Sequence, residues 1–257
     1  MDRKTKVIIV GDSFTFGHGC SDRVFYYDHK LKKFVGDYNP KTDLTPSQHC
    51  WAALLQREYP DLEVINLAKP GYCNTAIFKD LSIYVSTNEI KEGDIVLFNG
   101  THPDRMEVAT EQCEHPVSWV MGWDHQAQQE DEIDYNIAKK MYIQHLYHDQ
   151  IGVNYSVASL MGAYGYASAN KLNFAWNFPI LFRPPSPGVL STDFLTMLPN
   201  SLLENRKPHI ANYDFSGVND YEFNLTCNCV DNHTNDKGHL IYYEQQIKPL
   251  IEKFLNT

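Results

Sequence analysis

Short apolar runs alternate along the chain with segments whose apolar residues recur at helical spacing. Three short runs are rich in β-branched and other apolar residues, namely 6–11 (KVIIVG), 62–68 (LEVINLA) and 94–99 (DIVLFN). Apolar residues on both faces of a run predict a buried strand of a parallel sheet. We interpret residues 173–178 (NFAWNF) as a fourth strand and 209–213 (HIANY) as a weaker fifth.

Helical periodicity is clearest in four segments that lie between or after these strands. Apolar residues share one side at helical spacing over 48–59, 74–84, 135–172 and 238–255. Pro249 interrupts the last segment, and because proline cannot donate the helical hydrogen bond, we expect a kink or a break there. Strands that alternate with helices predict an α/β protein whose mostly parallel sheet is covered on both faces.

Two stretches are longer than the loops that usually connect such elements. The first covers about 21–46, and the second begins at 103 and continues into the long helical segment, to about 170. Within the first, apolar and aromatic residues at 24–27 (VFYY) and 33–35 (KFV) predict a β-hairpin. Because no shift in composition indicates a linker, we predict a single domain over 1–257 in which both stretches are insertions.

The charge of the chain argues against one large class of functions. The 257 residues include 22 Lys and Arg against 32 Asp and Glu, a formal charge of −10. Such a field repels phosphate, so we expect no nucleic-acid partner. Apolar runs such as 7–10 (VIIV) and 95–98 (IVLF) are far shorter than the about 20 residues that a membrane-spanning helix needs, and no signal-peptide pattern is present. We therefore expect a cytoplasmic protein without a membrane partner, with its six sparse cysteines reduced.

Residues suited to nucleophilic catalysis follow the predicted strands. Ser13 lies in Gly-Asp-Ser directly after the first strand, at the sheet edge where parallel α/β proteins bind ligands. A serine nucleophile needs a base and oxyanion donors, although a serine beside Gly is also a common turn or cap residue. After the second strand, Gly71 could donate its N–H to an oxyanion, and Asn74 could cap the next helix or donate into the site. His102 follows the third strand at the same edge.

Carboxylate and imidazole groups cluster before the C-terminal helix, in residues 231–239 (DNHTNDKGH). A carboxylate beside an imidazole fixes the tautomer of the ring and stabilises the imidazolium that forms when the ring accepts a proton. A polar surface loop or a helix cap is the alternative interpretation of this segment alone. The ordered series of features, each beside a strand end or a helix start, favours a catalytic site.

These blocks resemble those of the SGNH (GDSL-type) hydrolases, a family of esterases and lipases. Ser13 with the two residues before it is similar to the nucleophile block, and Gly71 in NLAKPGYCN to the oxyanion-glycine block. The C-terminal block is matched by Asp231 and His233. The resemblance implies a three-layer α/β/α flavodoxin-like fold with a mostly parallel five-stranded sheet. It also implies that Ser13 is the nucleophile, with His233 as its base and Asp231 orienting that base.

The segments GDSFTFGHGC and GYCN are most similar to SGNH-like proteins of tailed phages. For a phage-encoded protein, the expected location is the virion or the host cytoplasm. The resemblance implies a serine esterase acting on a small-molecule or carbohydrate ester, with an O-acetyl group on a sugar as one candidate, and it implies no cofactor.

The third block departs from the family pattern. The family has Asn where this chain has His102, and the Asn side chain donates to the oxyanion. An imidazole can donate one hydrogen bond in its place, and Asn74 is the other candidate donor. Loss of one donor typically costs about 10²–10³ in rate. The alternative function is therefore a catalytically impaired protein of the same fold that binds carbohydrate or has a structural role.

The C-terminal block departs in its spacing. Asp231-x-His233 is one residue shorter than the family pattern, whereas Asp236-x-x-His239 has the family spacing. We favour the first pair because His239 falls where the family opens its last helix with Gly-His. A metal site built from His102 with Asp104, or from the first pair, is a weaker hypothesis, and we predict no metal.

Overall fold

The computed structural model of the chain describes most of the predicted α/β framework. The described residues are 3–23, 25–28, 33–36, 43–103, 105–108, 117–120, 149–178, 198–204, 206–207, 210 and 233–256. The strands within them are β1 (Thr5–Val10), β2 (Phe25–Asp28), β3 (Lys33–Gly36), β4 (Leu62–Asn66), β5 (Ile95–Asn99), β6 (Arg105–Val108), β7 (Val117–Val120) and β8 (Asn173–Asn177). The helices are α1 (Ser13–Phe16), α2 (Trp51–Glu58), α3 (Asn74–Thr87), α4 (Asp149–Ala169), α5 (Asn200–Leu203), α6 (Asp236–Tyr242) and α7 (Lys248–Leu255), with a π-helical turn (Tyr243–Ile247) between α6 and α7.

Four of these strands form a parallel sheet in the order β4-β1-β5-β8. Val7 of β1 pairs with Val64 of β4 on one side and with Ile95 of β5 on the other. Counted along the chain, the described sheet strands are arranged 2-1-3-4, which is the flavodoxin-like order. The fifth strand predicted at 209–213 lies outside the described residues except for Ile210, so it stays a prediction.

Helices cover both faces of the sheet, because successive residues of a strand point to opposite sides. Ile8 and Val10 of β1 pack in one core with α3 and α4. Val7 and Ile9 pack in a second core with α2 and the C-terminal helices. All four side chains are at most 1% exposed, as expected for a β-branched run buried on both faces. The predicted three-layer α/β/α fold class is thereby confirmed.

The long helix predicted over 135–172 is described in part as α4, and residues 135–148 lie outside the described ranges. α4 packs against α3, and Gly162 allows this approach, because a Cβ there would lie 2.6 Å from the Phe78 ring. Val153 adds to the shared core. Neither α4 nor any other helix among the described residues is both long and apolar enough to cross a membrane.

The C-terminal helix departs from simple helical periodicity. Asn235 caps α6 by accepting a hydrogen bond from the Gly238 N–H (3.1 Å), so the helix begins two residues before the predicted start. At the predicted kink, the π-helical turn comes just before Pro249, which cannot donate to the carbonyl four residues earlier. A π turn adds one residue to the helix. Regular helical spacing from Ile247 would bury Leu240, but Leu240 is 42% exposed and its neighbour His239 is fully buried instead.

Both predicted insertions contain an antiparallel hairpin. β2 pairs with β3, so that Tyr26 lies opposite Val35, which confirms the hairpin expected from the apolar runs. β6 pairs with β7, with Met106 opposite Trp119, where the sequence pattern predicts no strand. These strands have four residues each, too few for a clear alternation of polar and apolar positions. The single-domain organisation stays a prediction.

Candidate active site

The candidate site lies at the carboxyl edge of the sheet. In the flavodoxin-like order, β4 and β5 lie on opposite sides of β1, and a crevice forms outside the carboxyl ends of such strands. Hydrogen bonds join the adjoining segments to the end of β1. The Lys69 N–H donates to the Gly11 carbonyl (3.2 Å), and Asn99 Nδ2 donates to the Val10 carbonyl (3.1 Å). The three predicted site segments therefore follow adjacent strands.

Ser13 is the first residue of the one-turn helix α1, which follows β1 directly. Asp12 caps this helix by accepting a hydrogen bond from the Phe14 N–H through Oδ1 (3.0 Å). Gly11 is required by crowding, because a Cβ there would lie 2.5 Å from Thr15 Oγ1. The sharp change from strand to helix holds Ser13, 5% exposed, at the sheet edge.

The Ser13 hydroxyl contacts the imidazole of His233. Nε2 of His233 lies 2.8 Å from Ser13 Oγ, although the two residues are 220 positions apart in sequence. Gly19 permits this approach, since a Cβ at Gly19 would lie 2.7 Å from the Cβ of His233. The separation is within hydrogen-bonding reach, as a nucleophile and its general base require. Asp231, the predicted orienting residue, lies outside the described residues.

The alternative pair, Asp236 and His239, is engaged elsewhere. The Asp236 carboxylate accepts hydrogen bonds from the Ser21 N–H (2.8 Å) and hydroxyl (2.6 Å). Burial raises the pKa of Asp236, but these hydrogen bonds outweigh burial and leave its pKa below the ordinary value. His239 is fully buried, and its Nδ1 accepts a hydrogen bond from the Trp51 N–H (3.3 Å). This geometry favours His233 as the base.

Burial also makes His239 a source of acid sensitivity. Desolvation lowers the pKa of His239 from 6.5 to about 3, so the folded protein holds this ring neutral. The unfolded chain protonates it below about pH 6.5. The contribution of the neutral ring to the free energy of unfolding is therefore complete above that pH. It decreases as pH falls toward 3, by on the order of 4 kcal/mol in total.

We expect His239→Asn to reduce this dependence, because asparagine replaces Nδ1 as acceptor and does not titrate. Urea unfolding at pH 7 and pH 4.5 measures the effect. The loss of unfolding free energy between the two values should be smaller in the variant. An exposed histidine, His49, provides the control, and His49→Asn should leave the loss as large as in the wild type. An equal loss in all three proteins would contradict the prediction.

Asn74 has a different role from the predicted oxyanion donor. Its Nδ2 donates to the Thr101 carbonyl (3.0 Å) and to Ser156 Oγ (2.8 Å), and its Oδ1 accepts from the Thr101 N–H (2.7 Å). Both amide protons are therefore used, and Asn74 positions the segment that carries Thr101 and His102. The His102 carbonyl accepts a hydrogen bond from the Arg105 N–H (3.1 Å). Oxyanion donation by the His102 side chain stays a prediction.

We expect Asn74→Ala to destabilise the protein by on the order of 3 kcal/mol, because it leaves the buried N–H and carbonyl of Thr101 without their partner. The ester hydrolysis expected from the sequence should also decrease, since the segment that holds His102 loses its anchor. Thermal unfolding and activity are measured together. Asn256→Ala, at an exposed position after α7, is the matched control and should change stability by less than about 0.5 kcal/mol. Equal stability of the two variants would refute the anchoring role.

Gly71 lies at the exposed tip of the predicted oxyanion segment, with φ of +80°. A Cβ there would meet no atom within 4 Å, so the left-handed conformation rather than crowding favours glycine. Two residues of the same segment, Lys69 and Tyr72, are held by Asp80 of α3, which accepts hydrogen bonds from Lys69 Nζ (2.7 Å) and from the Tyr72 hydroxyl (3.1 Å). Donation from the Gly71 N–H to an oxyanion stays a prediction.

A buried polar network beside Ser13 was not identified from the sequence. Asp12 is fully buried, and its Oδ2 accepts from Thr101 Oγ1 (2.8 Å) and lies 3.6 Å from Arg105 Nη1. The same Arg105 nitrogen donates to the Tyr72 carbonyl (3.5 Å). The network joins all three site segments. Asp12 belongs to the nucleophile block and could have been singled out, whereas nothing in the sequence pairs it with an arginine of the insertion.

Candidate metal ligands do not cluster in the part of the chain that the structure describes. No three His, Cys, Asp or Glu side chains lie together there as candidate ligands. Asp104 and Asp231, on which the metal hypothesis depended, are outside the described residues.

Comparison with known proteins identifies the fold. The sequence matches no protein-family profile and no curated protein. Among solved structures, the chain is similar over the full length of both chains to the psychrotrophic esterase EstA from Pseudoalteromonas sp., with a TM-score of 0.51 and 14% identity. The chain shares the fold of this esterase. At this level of identity the likeness establishes fold and not activity.

Two further similarities have lower TM-scores. A lipolytic protein of the G-D-S-L family from Desulfitobacterium hafniense, described as putative, gives a TM-score of 0.46 at 14% identity over 93% of this chain and 96% of its own. A carbohydrate esterase gives 0.49 at 14% identity over all of this chain and 70% of its own.

Proposed function

We propose that the protein is a serine hydrolase of the SGNH type that cleaves carboxylic esters through an acyl-enzyme on Ser13. The observation that carries this proposal is the 2.8 Å contact between Ser13 Oγ and His233 Nε2 at the carboxyl edge of the sheet. Two further facts support it: the GDS block that contains Ser13 and the fold shared with an esterase. The contact favours hydrolysis over the alternative of an impaired binding protein.

In the proposed reaction, His233 accepts the hydroxyl proton as Ser13 Oγ attacks the ester carbonyl carbon. The tetrahedral intermediate collapses, the bond to the leaving alcohol breaks, and the imidazolium returns the proton to the departing oxygen. Water then attacks the acyl-enzyme with His233 again as base, which releases the carboxylic acid and regenerates Ser13. We assign the orienting role to Asp231 and oxyanion donation to the Gly71 N–H, with His102 as a second donor.

The substrate class follows from a panel of p-nitrophenyl esters of increasing acyl length, assayed beside an acetylated polysaccharide. Fastest cleavage of the acetyl ester together with acetate release from the polysaccharide would identify a carbohydrate O-acetyl esterase. A maximum at longer chains would identify a lipase-like enzyme.

Covalent labelling tests the nucleophile without knowledge of the substrate. A fluorophosphonate probe should phosphonylate Ser13 Oγ with loss of fluoride, and peptide mass spectrometry identifies the labelled residue. Ser86→Ala, which changes an exposed hydroxyl of α3, is the matched control and should be labelled like the wild type. Absence of both labelling and hydrolysis across the panel would refute the proposed function.

A further inference from the structure

Two aromatic rings surround the imidazole of His233. The Phe14 ring stacks on it with ring centroids 4.4 Å apart and planes inclined by 27°. The His18 ring approaches edge-on, at 4.7 Å and 66°. Both rings belong to the segment that follows β1, so the segment that supplies the nucleophile also contacts the proposed base.

The backbone of Phe14 is itself well anchored. Asp12 accepts its N–H, and the Ser13 carbonyl accepts from the N–H groups of both Gly17 and His18, which closes the single turn. A ring fixed in this way can hold the imidazole plane in one orientation.

The face of an aromatic ring carries partial negative charge and attracts a cation placed over it. The imidazole of His233 is neutral before it accepts the Ser13 proton and cationic afterwards. Stacking on Phe14 therefore stabilises the protonated form more than the neutral one. In a site shielded from water this preference lowers the energy of the state in which the proton has left Ser13.

We propose that Phe14 is a positioning residue for His233, which orients the imidazole by stacking and favours its protonated form by a cation–π interaction. As a step in catalysis this inference rests on the proposed function. The effect on His233 itself does not, because it can be measured in the resting protein.

Other groups also face this imidazole and affect its titration. From the segment after β1 these are the Ser13 hydroxyl and the His18 ring. From α6, His239 interacts electrostatically with His233. Asp231, two positions earlier in sequence, is the predicted carboxylate partner. A test must therefore change Phe14 and leave these groups in place.

The decisive measurement is the titration of His233 by NMR in protein labelled at histidine, with its signal assigned by its loss in His233→Gln. We expect Phe14→Leu to lower the titration midpoint of His233 by about 0.5 to 1 unit, the size of an exposed to partly buried cation–π interaction. Phe14→Trp keeps an aromatic face and should titrate within about 0.3 unit of the wild type. A midpoint in Phe14→Leu equal to that of the wild type, with the fold intact by circular dichroism, would overturn the proposal.

Kinetics then separate this inference from the proposed function. In Phe14→Leu, the acid limb of kcat/KM for the best ester should shift to lower pH by the same amount as the NMR midpoint. The plateau should fall about two- to tenfold through kcat rather than KM. His18→Gln tests whether the neighbouring imidazole causes the shift, and Phe14→Leu should have its full effect in that background too. If the wild type cleaves no ester, the proposed function fails while the NMR comparison still decides the role of Phe14.

Discussion

Ser13→Ala should lower kcat for ester hydrolysis by a factor of about 10⁴ or more, which is the scale seen when a catalytic serine is removed from a triad. The reason is chemical, because alanine has no oxygen to form the acyl-enzyme, whereas the fold is kept. The side chain is small and nearly buried, so the substitution removes only one atom. The effect is measured as kcat and KM on the ester that the wild type cleaves fastest.

Ser86→Ala, in α3, should retain the wild-type rate, and thermal unfolding should show that both variants are folded. Fluorophosphonate labelling should disappear in Ser13→Ala alone. Full hydrolysis of every ester by Ser13→Ala would show that another residue is the nucleophile, even if the fold assignment holds.

His233→Ala should cause a comparable loss of about 10⁴-fold or more in kcat, because it removes the imidazole that lies 2.8 Å from Ser13 Oγ and is proposed as its base. His239→Ala should have a much smaller effect on kcat. His239→Ala should instead lower the free energy of unfolding, because the Trp51 N–H loses its acceptor and removal of the ring leaves a cavity. Both variants are assayed on the same ester at the same pH, with unfolding measured in parallel.

The opposite pattern, with large kinetic loss in His239→Ala and little in His233→Ala, would move the dyad to Asp236 and His239. His49→Ala is a suitable control, because the His49 imidazole is about half exposed and lies near the Asp236 carboxylate. It should change kcat by less than about twofold and the free energy of unfolding by less than about 0.5 kcal/mol.

The sequence was sufficient to predict a parallel sheet that is covered by helices on both faces. β1 and β5 are continuous apolar runs, and such runs are stable only when both faces are covered, so a parallel sheet between helix layers follows. The placement of Ser13, Gly71 and His102 after successive strands predicts one shared edge, because parallel strands end on the same side. These inferences depend on local patterns and on connectivity, both of which can be read along the chain.

Side-chain pairing across the chain could not be predicted in this way. Asn74 has a pattern suited to either a cap or an oxyanion donor, and only the position of Thr101 and Ser156 beside it shows that its amide is used to hold a neighbouring loop. Arg105 is joined to Asp12 because a hairpin that no periodicity indicates brings it to the site. Such contacts depend on distances between segments that are far apart in sequence.

The sequence by itself determined the fold class, the order of the site segments and the candidate residues within them. The tertiary structure decided which imidazole meets Ser13. Spacing to an aspartate alone favours His239, whereas the expected helix start at that residue already favoured His233. The π turn before Pro249 and the start of α6 at Asp236 place the His239 ring inside the core. The close approach allowed by Gly19 brings His233 to the hydroxyl instead. Helix phase and backbone clearance are three-dimensional quantities, and local residue patterns do not contain them.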